Sequence, residues 1–210
     1  LADANARRPA ALYGDMLAHL AARASGRTRR HIRDAVRLLD ATRVRVSSLY
    51  GGWADMVGGR HGIKLHIAYD PKADIPRLMA LTGQKTNDII PAKAAEIIPG
   101  MTYVFDMAYY DFAWWAELDK NGCRFVTRLK NNTHLEDVVE TPVAKGSSIL
   151  CDKTGSLRKR MARSRRNPLS DPLREITLRI STGKLIRVVT NDLDAPAEEI
   201  ADLYKQRWQI

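Results

Sequence analysis

The chain has 210 residues, 45% hydrophobic and 28% charged, which permits one packed domain with an insertion or a small appendage and excludes wholesale disorder. Thirty-four Lys and Arg against 24 Asp and Glu leave a formal charge of +10, so the surface attracts polyanions, nucleic acid first among them. No apolar run approaches the roughly 18 residues of a spanning helix, and Cys123 and Cys151 form neither a disulfide framework nor a zinc motif, so the expectation is a cytoplasmic protein with no membrane partner.

Leu12, Met16 and Leu20 recur every four positions between Pro9 and Ala24, the spacing of one helical face. A basic link containing Arg27, Arg29, Arg30 and Arg33 leads into Ala35-Val36-Arg37-Leu38-Leu39, read as a strand ending at Asp40. Gly51-Gly52 and Gly58-Gly59 bracket a loop. In His61 to Tyr69, Ile63, Leu65 and Ile67 alternate with Lys64 and His66, which predicts a half-buried strand with the apolar set inward. Arg77 to Leu81 is a third strand and Pro91 to Ile98 a helix with proline in its first turn. Met101 to Phe105 is a strand stopping at Asp106, Tyr110 to Leu118 a helix on Phe112, Trp115 and Leu118, and Arg124 to Leu129 another strand. The order β-β-β-α-β-α-β predicts an α/β layer fold. From about residue 131 to 189 helical periodicity disappears, and Ser148 to Cys151, Glu175 to Ile180 and Leu185 to Val189 read as an antiparallel β insertion. Ala195-Pro196-Ala197-Glu198-Glu199 then starts a helix continued by Ile200, Leu203, Tyr204, Arg207 and Trp208.

Asp40 and Asp106 each stand at the carboxyl end of a predicted strand, the rim where open α/β sheets gather ligands. Either aspartate alone fits a loop cap. Two such carboxylates on neighbouring strands suit the hard ions Mg²⁺ or Mn²⁺, and paired ions would clamp a phosphodiester. Arg158, Lys159, Arg160, Arg163, Arg165 and Arg166 put six cations into nine residues, either a solvated loop or a phosphate-tracking patch. Trp114 and Trp115 are adjacent, so on a helix at most one faces the core directly. His66 reads as a structural residue. The absence of G-x-x-x-x-G-K-[ST], G-x-G-x-x-G and H-E-x-x-H removes nucleotide-driven motors, a nucleotide cofactor and zinc hydrolases from consideration.

Val104-Phe105-Asp106-Met107-Ala108-Tyr109-Tyr110-Asp111 resembles the second-aspartate motif, Asp-Arg-Gly-Tyr-Tyr-Asp after a strand, of bacterial transposases of the insertion sequence 4 family. Leu39-Asp40-Ala41-Thr42 resembles the first-aspartate motif, Gly62 to His66 the following strand, and Arg124 to Lys130 the strand after the second aspartate. Thr190-Asn191-Asp192 followed by Glu199 to Ile210 resembles the family helix with Tyr, two residues, Arg, three residues, Glu. The tyrosine is Tyr204 and the arginine Arg207; the glutamate would be residue 211.

The resemblance implies a ribonuclease H-like fold in DDE-type chemistry: a mixed sheet flanked by helices and interrupted by the β-rich insertion. The core comprises residues 34–130 plus 190–210, with 131–189 inserted and 1–33 a helical, basic appendage. It implies two-metal cleavage and strand transfer at transposon ends, with Asp40 and Asp106 holding Mg²⁺ or Mn²⁺, two ions per complete site, and Tyr204 and Arg207 gripping the DNA backbone. Lys64 joins the basic run as an expected DNA contact. DNA is the partner, both transposon ends and target, with self-association in a synaptic complex and nucleoid association when bound. Met107 and Ala108 replace the family's Arg and Gly, removing a cation and a flexible backbone position. The chain is expected to be a C-terminally truncated fragment lacking the third carboxylate, and inactive alone. The alternatives are a non-catalytic DNA-binding remnant that inhibits the intact transposase, and a stand-alone metal-dependent nuclease.

Overall fold

A computed structural model describes residues 36–46, 55–144, 146–159 and 166–209. The expected N-terminal helix, the basic link, Gly51-Gly52 and Arg160, Arg163 and Arg165 lie outside the described residues. β1 (Val36–Arg45), β2 (Asp55–Val57), β3 (Arg60–Asp70) and β4 (Ile75–Gly83) are followed by α1 (Ile89–Ala94), β5 (Thr102–Val104), α2 (Phe112–Lys120) and β6 (Arg124–Arg128). β7 (Glu136–Thr141), β8 (Ile149–Ser156), β9 (Leu173–Arg179), β10 (Leu185–Thr190) and α3 (Ala197–Gln206) complete the order. Among the described residues no helix is long and apolar enough to cross a membrane.

The strands form one sheet in the order β2-β3-β1-β5-β6-β10-β9-β8-β7, with β4 also on β3. β1, β5 and β6 run parallel, joined through helices as parallel neighbours must be, while β3 is antiparallel to β1 and β4 to β3. This is the α/β architecture that the strand order predicted, built on a mixed sheet. The region after residue 130 is antiparallel throughout, as expected, and β10 pairs with β6, so its strands continue the same sheet.

Apolar side chains alternate onto both faces of the parallel strands. Leu39, Tyr103, Phe105 and Phe125 pack under Trp114, Trp115 and Leu118 of α2 and Ala92 of α1. Val36, Leu38, Val104 and Val126 meet Ile200, Leu203 and Tyr204 of α3. Each such side chain contributes about 1.5–3 kcal/mol by leaving water. Both tryptophans are buried, contrary to the expectation from their 100° separation. α2 lies in a corner: Trp114 packs on Phe105 at 4.9 Å while Trp115 fills the space between Tyr110, at 4.9 Å, and Phe125, at 5.4 Å.

Three local expectations are corrected. The loop before Arg60 contains β2, hairpinned onto β3 by Gly58 and Gly59, whose φ values of 58° and 73° suit a two-residue turn. β1 continues five residues past Asp40 to Arg45 because β3 remains its partner through Arg45↔Gly62. On β3 the burial is inverted: Gly62, Lys64, His66 and Ala68 are buried, and Ile63, Leu65 and Ile67 are only half-buried. The segment entering α1 covers the Lys64 face through Thr86 and Asp88, whereas α3 packs over β6, β8, β9 and β10 and leaves the isoleucine face of β3 partly open.

Candidate active site

Parallel pairing of β1 with β5 ends at Leu38↔Val104. Asp40 and Asp106 each stand two residues beyond that last pair, the offset at which strand alternation returns a side chain to the face of Leu38 and Val104, and the negative charge of Asp106 reaches Asp40. β5 stops because the chain turns at Asp106, whose Oδ1 accepts a hydrogen bond from the Ala108 N–H at 2.8 Å and caps a 3-10 turn over Met107–Tyr109. Asp40 is therefore not at the end of its own strand but at the point where its parallel neighbour leaves, with its side chain 34% exposed. Burial lifts the Asp40 carboxyl above its ordinary range; Arg207 and the Ala41 backbone N–H pull it down, and the negative charges of Asp106 and Asp88 push it further up. Ala108 does not adopt a left-handed conformation, so alanine replaces the family glycine in this turn without backbone strain.

Arg207 begins the 3-10 turn that follows α3, and its Nη1 stands 3.8 Å from Asp40 Oδ1. Its guanidinium carbon lies 5.4 Å from the centre of the Tyr204 ring. Tyr204 is fully buried and its hydroxyl, although near Arg207, makes no hydrogen bond of good geometry. Tyr204 thus sits behind Arg207 rather than on the surface expected to meet DNA. Trp208 stacks edge-on against it at 5.7 Å.

Lys64, expected as a DNA contact, is 6% exposed. Its ammonium donates to the Thr86 carbonyl and to Asp88 Oδ1, each at 2.7 Å, which turns it away from any external phosphate. His66 is buried as a structural residue, Nε2 against Thr82 Oγ1 at 2.8 Å and Nδ1 3.9 Å from Asp88. Arg158, Lys159 and Arg166 are exposed, Arg158 pairing with Glu136 at 3.0 Å. They flank the end of β8, five strand spacings from β1 and on the order of 20–25 Å across the sheet. Arg158, Lys159 and Arg166 are therefore not brought to the aspartates.

Two residues near the aspartates carried no signal as site candidates. Asp88 precedes α1 and sends its charge to Asp40. Tyr109, 1% exposed, closes the 3-10 turn that Asp106 caps. Asn87-Asp88 before Ile89 is a helix-start pattern, and nothing in it marks proximity to Asp40.

The sequence matches the family model described as the transposase DDE domain over residues 32–210. It is 38% identical over 214 residues to a Sinorhizobium fredii protein described as a transposase, y4zB, covering 100% of this chain and 59% of that protein. It is 30% identical over 200 residues to a Geobacillus stearothermophilus protein described as a transposase for insertion sequence element IS5377, covering 93% of this chain and 51% of the relative. The chain thus spans little more than half the length of these relatives. A solved piggyBac transposase synaptic complex with hairpin DNA is similar at a TM-score of 0.43 and 11% identity, over 82% of this chain and 38% of that one.

Proposed function

Because the chain belongs to the transposase DDE domain family, we propose that it forms part of the catalytic centre of a bacterial insertion-sequence DNA transposase, which cuts transposon ends and joins them to target DNA. Asp40 and Asp106 are the carboxylates of that centre. The observation that carries the reading is their equal offset of two residues past the Leu38↔Val104 pair, with Arg207 3.8 Å from Asp40.

The donor set fits a hard divalent cation. Two carboxylates stand on one rim, and negative neighbours hold the Asp40 carboxyl up, a repulsion that a cation relieves. Mg²⁺ takes one or two carboxylates and leaves its remaining positions to water and phosphate; Mn²⁺ is served by the same oxygen donors. Bound there, two such ions would supply an activated water and neutralise the leaving oxygen of a phosphodiester. Arg207 offers a planar donor fork to a phosphate at the rim, and the buried Tyr204 ring holds that fork against Asp40. Arg158, Lys159 and Arg166, exposed beside the end of β8, form a second phosphate-tracking surface for flanking DNA. Two copies meeting on paired ends belong to the same reading.

Among the described residues no group of three or more His, Cys, Asp or Glu is gathered closely enough to hold a metal ion. Two carboxylates hold a cation loosely, so the chain by itself is expected not to cleave DNA. Its binding steps are testable directly. Mn²⁺ titration should give binding that Asp40→Asn and Asp106→Asn abolish. Affinity for duplex DNA should hold or rise in Asp40→Asn, which removes negative charge beside Arg207. Absence of Mn²⁺ binding, or clearly weaker DNA binding in Asp40→Asn, overturns the reading.

A further inference from the structure

β5 ends at Val104, whereas β1 runs on to Arg45 with β3 as its partner, so among the described residues no parallel neighbour continues beside the two strands beyond Asp40. Five residues at about 3.3 Å each carry this ribbon roughly 17 Å past Asp40. An open strand edge invites other strands, and charge is one way to keep them off. The charge here is ordered beyond that need. Arg43 and Arg45 stand opposite Lys64 and Gly62, and Arg60 is two residues before Gly62, so strand alternation puts all three arginines on one face. Arg43 and Arg45 are about 6.7 Å apart along β1, and Arg60 is the diagonal neighbour of Arg45 at about 7–8 Å, which makes a row leading away from the rim. All three are exposed. Lys64, next on the same face, is spent on Asp88, but no ion pair joins Arg43 or Arg45 to an acid among the described residues. Residues 47–54, which join β1 to β2, contain no Asp or Glu. The pairing sets one acid beside the row, Asp55 opposite Gly62.

We propose that this ribbon binds the phosphate backbone of DNA flanking the cut, with Arg43, Arg45 and Arg60 following successive phosphates of one strand. The proposal rests on the transposase reading for DNA as the polyanion and for the cut at Asp40 and Asp106. The spacing of the row is close to that of neighbouring phosphates, and each guanidinium offers a planar pair of donors to one of them. Because the ribbon starts at Asp40, a duplex with its scissile phosphate at the rim and its axis along β1 passes over it. Contacts of this kind fix the position of the duplex and carry no base information, so they serve any flanking sequence.

The test is fluorescence anisotropy with two duplexes of unrelated sequence over a range of salt concentrations. A triple variant, Arg43→Gln, Arg45→Gln and Arg60→Gln, is compared with wild type and with Lys72→Gln, Arg77→Gln and Lys120→Gln, which removes the same charge from exposed residues outside the ribbon. The ribbon variant should bind both duplexes on the order of 100-fold more weakly at low salt, with the slope of log affinity against log salt lowered by about two to three. The control should lower it by less than about one. Lysine at the three positions should keep the slope, and Asp55→Asn should tighten binding to both duplexes. Circular dichroism melting and gel filtration show that each variant is folded and report its association state. A ribbon variant that matches the control in affinity and slope overturns the proposal; self-association of that variant would then assign the arginines to guarding the open edge. Mn²⁺ binding that Asp40→Asn abolishes leaves the carboxylate assignment standing in that event. No duplex binding by wild type at low salt overturns this proposal and the DNA reading together.

Discussion

Nη1 of Arg207 stands 3.8 Å from Oδ1 of Asp40, tying the last described turn of the chain to its first described strand. The separation is too long for a hydrogen bond, and Arg207 Nε, buried, has no partner either. An arginine held beside a carboxylate with donors unspent is suited to accept a phosphate without first breaking a strong pair. Arg207→Ala should therefore weaken duplex DNA binding about ten-fold and lower the salt slope by about one, read from fluorescence anisotropy at several salt concentrations. The same change should push the Asp40 carboxyl further up, since Arg207 is the strongest influence holding it down; carboxyl NMR of Asp40 checks this. Arg207→Lys should restore the position of the Asp40 carboxyl better than the DNA affinity, because an ammonium lacks the two-pronged geometry.

Lys64 and Asp88 make the opposite kind of pair, closed and inward, with side chains 8% and 17% exposed. Lys64→Met leaves the Asp88 carboxylate and the Thr86 carbonyl without their donor, and the stability loss in urea unfolding should be about 3–5 kcal/mol. Adding Asp88→Asn should recover much of it. DNA affinity of the folded Lys64→Met protein, measured in parallel, should match wild type; a loss with a smaller salt slope would restore Lys64 to the list of phosphate contacts.

How much of this was legible in the sequence depended on which interaction dominated each segment. The parallel strands and α2 were readable because burial on both faces dictates their composition. β3 misled because alternation gives a period but not its sign: a buried lysine and histidine outweighed three aliphatics once Asp88 and Thr82 came across from the segments that follow. β7 was missed because every one of its residues is exposed and Glu136-Asp137-Val138-Val139-Glu140-Thr141 has no buried face to declare it. Asp88 was silent as a site residue because only the folding of the segment before α1 brings its charge to bear on Asp40.

The pH dependence of stability should fall in two limbs. Burial holds His66 below its ordinary range, with Lys64 adding to the effect and Asp88 opposing it, and Nδ1 has no hydrogen bond. A histidine that is harder to protonate when folded makes the unfolded chain bind more protons, so stability is full above the unfolded value of 6.5 and is lost as pH falls through the folded one. The second limb comes from Asp70, Asp111 and Asp192. Burial raises each, but backbone N–H donors together with Arg37, Lys93 and Arg124 respectively outweigh it and hold all three carboxyls low. Their contribution is complete above the unfolded value of 3.8 and disappears at lower pH as each is protonated in the native state. Asp40 has the reverse sign: its carboxyl is raised by folding, so its ionised form costs stability at neutral pH. Melting temperatures from pH 8 to pH 3 should therefore decline first below about 6.5, and His66→Gln should flatten that upper limb while leaving the lower one. Asp40→Asn should melt higher than wild type at pH 7, and the gain should vanish as pH falls. An upper limb unchanged in His66→Gln would assign it to another group, and a lower melting temperature for Asp40→Asn at pH 7 would show that the Asp40 carboxylate is stabilised, not strained, by its neighbours.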